Sequence, residues 1–192
     1  MKSQTLLNKI LDLPHCNKEI KILFAEQFYA VNFQKGQTII SPNLLNQCLY
    51  YVTEGLLRRY PLQLSSAKTS QLYINGDFIF QNGVYVKRPN LEYIECLSDV
   101  QLMNINYKQL ERFFRKQPEA IKLLLSIMEA QRLKEIEVIE MLHVEPALDR
   151  YLFASRLIGK HIHNLPKEVL ASYLRISSKQ LGRLLIELAH YK

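Results

Sequence analysis

Residues 49–60 read LYYVTEGLLRRY, two runs rich in apolar and aromatic residues that meet at Glu54-Gly55. Such residues favour extended strands, and glycine at the junction accepts the positive φ that a tight corner requires. The stretch therefore predicts two strands joined by a turn. Because side chains alternate along a strand, one of Arg58 and Arg59 is expected to point inward and the other outward.

The same pattern continues on both sides of this stretch, as short β-runs broken by glycine. The runs are rich in Tyr, Ile and Val and occupy residues 28–33, 38–40, 49–52, 56–60, 72–74, 93–96 and 100–105. Strands that recur about every ten residues with glycine at the corners predict an antiparallel sandwich or a small barrel.

Helical periods flank the β-region. In residues 1–28, Pro14 separates two short helices, and Asn17 is expected to cap the second. After Asn106 a short helix is expected over residues 107–115. Pro118 then suits the first turn of a long helix that runs to about His143.

Two apolar ridges run along the long helix. One contains Ile121, Leu124, Met128, Gln131, Glu135, Val138 and Leu142, and the other contains Leu125, Ile136 and Ile139. We expect one ridge to pack on the β-domain and the other on the same helix of a second copy. A helix buried wholly within its own subunit is the alternative.

Residues 165–188 read LPKEVLASYLRISSKQLGRLLIEL and form the second informative stretch. They follow a break at Glu145-Pro146 and a further helix over residues 147–158 that Gly159 ends. The pattern predicts two helices that cross at Ala171, with Ser177 or Ser178 as the N-cap of the second. Inward-facing positions are expected to be Leu170, Leu174, Ile176, Leu181, Leu184 and Leu185.

Charge is concentrated in the same part of the chain. The net charge is +7, and residues 145–192 hold eight Lys and Arg against four Asp and Glu. The second helix of the pair begins with polar and cationic residues, which a recognition helix presents to the major groove. A DNA-binding helix-turn-helix is therefore the leading hypothesis for this quarter of the chain.

Several classes of protein are not indicated. The apolar runs are too short for a membrane-spanning helix, and residues 1–9 lack the features of a signal peptide, so a cytoplasmic location is expected. Three cysteines without close spacing, Cys16, Cys48 and Cys96, predict neither a disulfide framework nor a zinc site. No catalytic or phosphate-loop motif is present, so we expect no enzyme activity, no cofactor and no metal.

Taken together, the chain resembles the CRP/FNR-like transcriptional regulators over about residues 20–190. The resemblance rests on FQKGQTI (33–39), YVTEGLLR (51–58), NGDF (75–78), LASYL (170–174), IS (176–177) and GRL (182–184). It implies an α+β fold: an N-terminal antiparallel jelly roll of the cyclic-nucleotide-binding type, a long dimerisation helix and a C-terminal all-α helix-turn-helix. The implied domains are residues 1–117, 118–144 and 145–192.

The resemblance also implies site residues and partners. Ser178, Lys179 and Arg183 match positions that read bases, Gln180 matches a phosphate contact, and Arg175 and Lys167 complete the DNA-binding set. A homodimer would read an inverted-repeat operator, and a contact with RNA polymerase is left open; no membrane partner is expected. An arginine bidentate to guanine contributes ~1–3 kcal/mol of discrimination.

Two departures from the family pattern point to weaker DNA binding. Arg175 stands where most helix-turn-helix turns have glycine, at an expected cost of about 1 kcal/mol if the residue is left-handed. A phosphate contact that offsets this cost, uncompensated strain and a shifted turn are all left open. The sequence also ends at Lys192, which leaves no room for the family's β-wing. The alternative function is a sensor or interaction protein whose helix-turn-helix is degenerate and does not bind DNA.

A third departure concerns the effector. Cyclic-nucleotide binders in the family use a Gly-Glu pair and an arginine, whereas residues 77–93 contain no Gly-Glu pair. cAMP is therefore not expected to bind. An anion or another small molecule held by Lys87 and Arg88 and a protein active without effector are both left open.

Overall fold

The computed structural model describes residues 2–42, 47–62 and 68–190. Met1 and Lys192, the two ends of the sequence, lie outside them. The described residues form an antiparallel β-domain followed by several helices, as the sequence predicts. None of the described helices is long and apolar enough to cross a membrane.

The strands are β1 (Tyr29–Phe33), β2 (Thr38–Ile40), β3 (Cys48–Glu54), β4 (Leu57–Pro61), β5 (Gln71–Tyr73), β6 (Phe78–Ile79), β7 (Glu92–Cys96) and β8 (Val100–Asn106). The α-helices are α1 (Lys2–Leu11), α2 (Lys18–Ala25), α3 (Tyr107–Lys116), α4 (Ile121–His143), α5 (Ala147–Ile158), α6 (Lys167–Tyr173) and α7 (Ser178–His190). Short 3-10 helices precede α4 (Pro118–Ala120) and α6 (Gly159–Asn164).

The β-domain is a sandwich of two four-stranded antiparallel sheets, with strand orders β1-β8-β3-β6 and β2-β7-β4-β5. Within the described residues no strand pairing joins the two sheets, so the barrel is not closed. The core between the sheets contains Ile40, Val52, Leu57, Tyr73, Ile79, Ile94, Cys96, Val100 and Leu102. Of the two architectures that the sequence left open, the sandwich is the one observed.

Strand β3 is buried on both faces, and its alternation explains how the helices attach. Tyr50 and Val52 point between the sheets, whereas Leu49 and Tyr51 point to the outer face. Helices α1, α2 and α3 and the start of α4 cover that outer face and share one apolar core with it. The outer face of this sheet is therefore covered by a helical layer, and on the other sheet Leu72 packs with Val138 and Met141 of α4.

The corner at Gly55 has the geometry that the sequence predicts. Gly55 has φ +112°, and a Cβ at this position would lie 2.7 Å from the Asp99 carbonyl oxygen and 2.5 Å from a Val100 methyl group. Its N–H donates to the Asn75 side-chain oxygen over 3.0 Å. Glycine is required here both by the backbone conformation and by the space.

Most element boundaries agree with the sequence, and two details differ. The Asn17 oxygen accepts from the Ile20 N–H over 2.9 Å, which confirms the predicted N-cap of α2. The short strand β6 was missed, since its two residues are too few for a detectable alternation. Helix α4 begins at Ile121, after one 3-10 turn that contains Pro118.

The long helix α4 has one buried and one exposed face. Leu123, Ile127, Gln131, Val138 and Met141 are buried against the rest of the chain. The exposed face carries Ile121, Leu125, Met128, Leu133, Ile136 and Ile139, each at least 39% exposed. The alternative of a wholly buried helix is therefore wrong, and Ile121 and Met128 belong to the exposed face rather than to the ridge with Gln131.

Candidate functional site

The last two helices form a compact pair. Helix α6 ends at Tyr173, the turn spans residues 174–177, and α7 begins at Ser178. Ala171 is 2% exposed at the contact between the helices, as expected for a small residue at a crossing. Leu170, Leu174, Leu181 and Leu184 are buried around it, whereas Leu185 is 37% exposed, so its predicted inward position is wrong.

A capping box fixes the start of α7. The Gln180 N–H donates to Ser177 Oγ over 3.1 Å, and the Ser177 N–H donates back to Gln180 Oε1 over 2.9 Å. This reciprocal pair satisfies free backbone donors of the first turn. Ser177 is therefore the N-cap, and Ser178 lies exposed as the first helical residue.

Arg175 has φ +55°, so of the alternatives left open for this turn the left-handed residue is the one observed. Its N–H donates to the Ser172 carbonyl over 3.2 Å, which closes the turn after α6. A residue with a Cβ is strained in this region by about 1–2 kcal/mol. The side chain is exposed, so packing does not offset the strain.

We predict that Arg175→Gly raises the free energy of unfolding by about 0.5–1 kcal/mol, because glycine adopts positive φ without the Cβ clash. Urea unfolding followed by circular dichroism measures the effect. Arg175→Ala is the control, since it removes the same side chain and keeps the Cβ. An equal gain in both variants would show that the arginine side chain, and not the backbone, was the source of strain.

All six residues predicted to bind DNA lie exposed on this helix pair: Lys167, Arg175, Ser178, Lys179, Gln180 and Arg183. The Lys167 ammonium lies 3.1 Å from the position that a Cβ on Gly182 would take, so the start of α6 reaches the middle of α7. No described carboxylate forms an ion pair with the four cations of this set. The partial positive charge of a helix N-terminus adds to theirs, and such a surface attracts phosphate.

Arg150 holds the pair in place, although no pattern in the sequence indicated this role. Its guanidinium donates to the Leu174 carbonyl at the end of α6 over 2.9 Å and to the Val144 carbonyl at the end of α4 over 3.0 Å. The Thr69 N–H of the β-domain also donates to Ser172 Oγ over 2.7 Å. These contacts connect the pair to both the long helix and the sandwich.

A second candidate region is a cavity of about 830 Å³ between residues 80–86, Tyr107 and the middle of α4. Lys87 and Arg88, the predicted ligand contacts, are exposed and do not line it. The Arg88 N–H donates to the carbonyl of the lining residue Gly83 over 3.0 Å, which closes the turn that contains Lys87. Contact of Lys87 and Arg88 with a ligand stays a prediction. It would require a part of the ligand to project out of the cavity.

Comparison with known families identifies the β-domain. Residues 30–117 match the family of cyclic nucleotide-binding domains. This segment comprises the sandwich and α3. No curated protein matches the chain.

The whole chain matches solved structures at low sequence identity. The c-di-GMP responsive global regulator CLP of Xanthomonas campestris is 16% identical, with a TM-score of 0.67 over 91% of this chain and 92% of that chain. FixK2 of Bradyrhizobium japonicum is 17% identical, with a TM-score of 0.68 over 85% of each chain. The catabolite activator protein of Thermus thermophilus is 18% identical, with a TM-score of 0.54 over 95% of this chain and 87% of that chain. The chain thus has the fold of CRP/FNR-type regulators.

Proposed function

We propose that the protein is a DNA-binding transcriptional regulator of the CRP/FNR type that acts as a homodimer on an inverted-repeat operator. The observation that carries the proposal is the set of exposed cations around the start of α7, which form no ion pair with any carboxylate that the structure describes. In this proposal α6 and α7 are a helix-turn-helix within residues 145–192, and α7 enters the major groove. Residues 1–117 are the sensor domain, and residues 118–144 are the dimerisation helix.

Each of the six exposed residues has a role in this proposal. Ser178, Lys179 and Arg183 meet base edges, because the first turns of a recognition helix point into the groove. Gln180, Arg175 and Lys167 contact phosphates of the DNA backbone. The capping box occupies the Gln180 amide oxygen, so the amide nitrogen is the group that would donate to a phosphate.

The exposed face of α4 is the proposed dimer interface. Its apolar residues Ile121, Leu125, Met128, Ile136 and Ile139 recur at steps of three and four, or multiples of them, along one stripe. A second copy of the same helix offers the same stripe, which is what a two-fold interface requires. Such a dimer would place two recognition helices about 34 Å apart, in successive major grooves.

Selection from a random duplex library tests the proposal. The purified chain is expected to enrich an inverted repeat whose half-sites are about ten base pairs apart, centre to centre. Light scattering on the same preparation establishes the oligomeric state. A folded dimer that enriches no inverted repeat at low salt would overturn the proposal.

We predict that Ile139→Glu raises the dimer dissociation constant by about tenfold or more, because it places a charge in each copy of an apolar seam. Ile139 lies outside the cavity, so the change tests the interface alone. Sedimentation equilibrium measures the constant. Ala130→Glu is the matched control, since it adds the same charge at an exposed position off the stripe. Equal weakening by both variants would argue for a general charge effect and against this seam.

One observation favours a second function. The left-handed Arg175 is a strained residue in the turn that positions α7. A sensor or interaction protein with this fold and a helix pair that no longer binds DNA would tolerate such a turn. The variants described in the Discussion distinguish this function from the first.

A further inference from the structure

We infer that two charged residues of α4 select the dimer partner: Arg132 of each copy forms an ion pair with Glu129 of the other copy. The inference rests on the proposed function, because it adds the choice of partner to the proposed dimer interface.

A cation lies in the middle of the apolar stripe on α4. Arg132 is exposed, and Leu125, Met128, Ile136 and Ile139 stand four or seven residues from it. At about 100° per residue, these four residues lie within about 40° of Arg132 around the helix axis. No described carboxylate forms an ion pair with Arg132. A charge in the centre of an apolar face requires a counter-charge once that face is covered.

Two-fold symmetry makes this requirement stronger. In a parallel pair of α4 helices, both helix pairs lie at the same end of the dimer, and a central residue of one stripe faces the same residue of the other. The two Arg132 guanidinium groups then approach each other near the axis, and like charges at close range repel. A stable dimer therefore requires a carboxylate within reach of each Arg132.

Glu129 is the carboxylate that is available. On α4, Glu129 and Glu135 each lie three residues from Arg132. Glu135 is 3.5 Å from the Arg59 guanidinium, so it is already paired within its own chain. Glu129 is exposed and forms no ion pair with a described residue, Arg132 of the same chain included.

The position of Glu129 suits a contact across the two-fold axis. It borders the stripe, about 60° from Arg132 around the helix and about 4.5 Å closer to the start of α4. In a two-fold interface, a contact from Arg132 of one copy to Glu129 of the other is always formed twice. The two ion pairs together neutralise both guanidinium groups that approach the axis.

The charges make the interface selective for a second copy of this chain. The apolar stripe alone would accept any helix with a similar apolar face, because hydrophobic burial has no direction. A partner with a cation opposite Arg132, or with a carboxylate opposite Glu129, brings like charges together. The apolar residues thus supply contact area, and the two charged residues supply the choice of partner.

Two charge reversals and their mixture test the inference. In a homodimer, Arg132→Glu or Glu129→Arg places like charges opposite each other twice, so each is expected to raise the dimer dissociation constant by about tenfold or more. A mixture of the two variants restores opposite charges at both contacts. It is expected to form a heterodimer whose dissociation constant is within about threefold of the wild-type value. Sedimentation equilibrium measures the constants, and native mass spectrometry with a tag on one chain identifies the heterodimer.

A double variant and a control pair complete the test. Arg132→Glu with Glu129→Arg in one chain exchanges the two charges and should dimerise as the wild type does. Arg112→Glu and Glu26→Arg make the same reversals at exposed positions on α3 and at the end of α2. These two control variants should dimerise as the wild type does, alone and mixed. Circular dichroism establishes that each variant is folded.

Salt provides a second readout, because a packing defect would not respond to it. Raising the salt concentration from ~0.1 M to ~1 M shortens the screening length from about 10 Å to about 3 Å. The difference between the single variants and the wild type should therefore decrease at high salt. A difference that is unaffected by salt would show that packing, and not charge, causes it, and would overturn the inference.

The remaining outcomes separate this inference from the proposed dimer. A dimeric wild type whose single variants dimerise as well or better overturns the inference and leaves the dimer standing. A mixture that forms no more heterodimer than random association predicts has the same meaning. A monomeric wild type overturns the proposed dimer and the inference with it.

Discussion

A chain with Lys179→Ala and Arg183→Ala is expected to keep its fold and to lose preference for its operator by about a hundredfold or more. Both side chains are exposed and form no ion pair with a described residue, so their removal should cost the folded state little. Each copy in the dimer contributes one recognition helix, so the variant loses each contact with a base twice. A bidentate arginine–guanine contact alone contributes ~1–3 kcal/mol of discrimination.

Fluorescence anisotropy at one fixed salt concentration measures this loss, with the selected operator and a scrambled duplex of equal length. The control is Lys108→Ala with Arg112→Ala, which removes the same positive charge from exposed positions on α3. That control should retain operator preference. Unchanged preference in the first variant would favour the second function, in which the helix pair does not bind DNA.

Gly55→Ala is expected to lower the free energy of unfolding by about 3 kcal/mol or more. Two penalties combine at this corner. The φ of +112° is strained for any residue with a Cβ, and that Cβ would meet the Asp99 carbonyl at 2.7 Å, where the backbone itself must shift. The shift would also disturb the hydrogen bond from the Gly55 N–H to Asn75.

Gly36→Ala is the matched control for Gly55→Ala. Gly36 also has positive φ, at +84°, but a Cβ there would meet no atom within 4 Å. The Gly36→Ala variant should therefore lose only about 1 kcal/mol of its free energy of unfolding, from the strained backbone conformation. Urea unfolding of both variants measures the difference, and equal losses would show that the close approach of residues 99–100 to Gly55 adds nothing.

Much of this protein's local structure followed from its sequence. The strands around Glu54-Gly55 and the N-cap at Asn17 were both expected and observed. Each depends on interactions within a few residues: the period of side chains along the backbone, the conformational freedom of glycine, or a side chain that reaches the next turn. The exposed surface of the helix pair was expected for the same reason.

The tertiary structure decided which side chains share a site. Only the packing of α4 on the sandwich buries Gln131 and brings Glu135 to Arg59, and only the fold of the last helices brings Arg150 to the Leu174 carbonyl. These pairs come from distant segments, and their contacts depend on how whole layers meet. The sequence thus determined a β-domain and, later in the chain, a cationic pair of helices. The three-dimensional packing determined that the two predicted ligand contacts, Lys87 and Arg88, lie outside the cavity and that uncharged and aromatic groups line much of its interior.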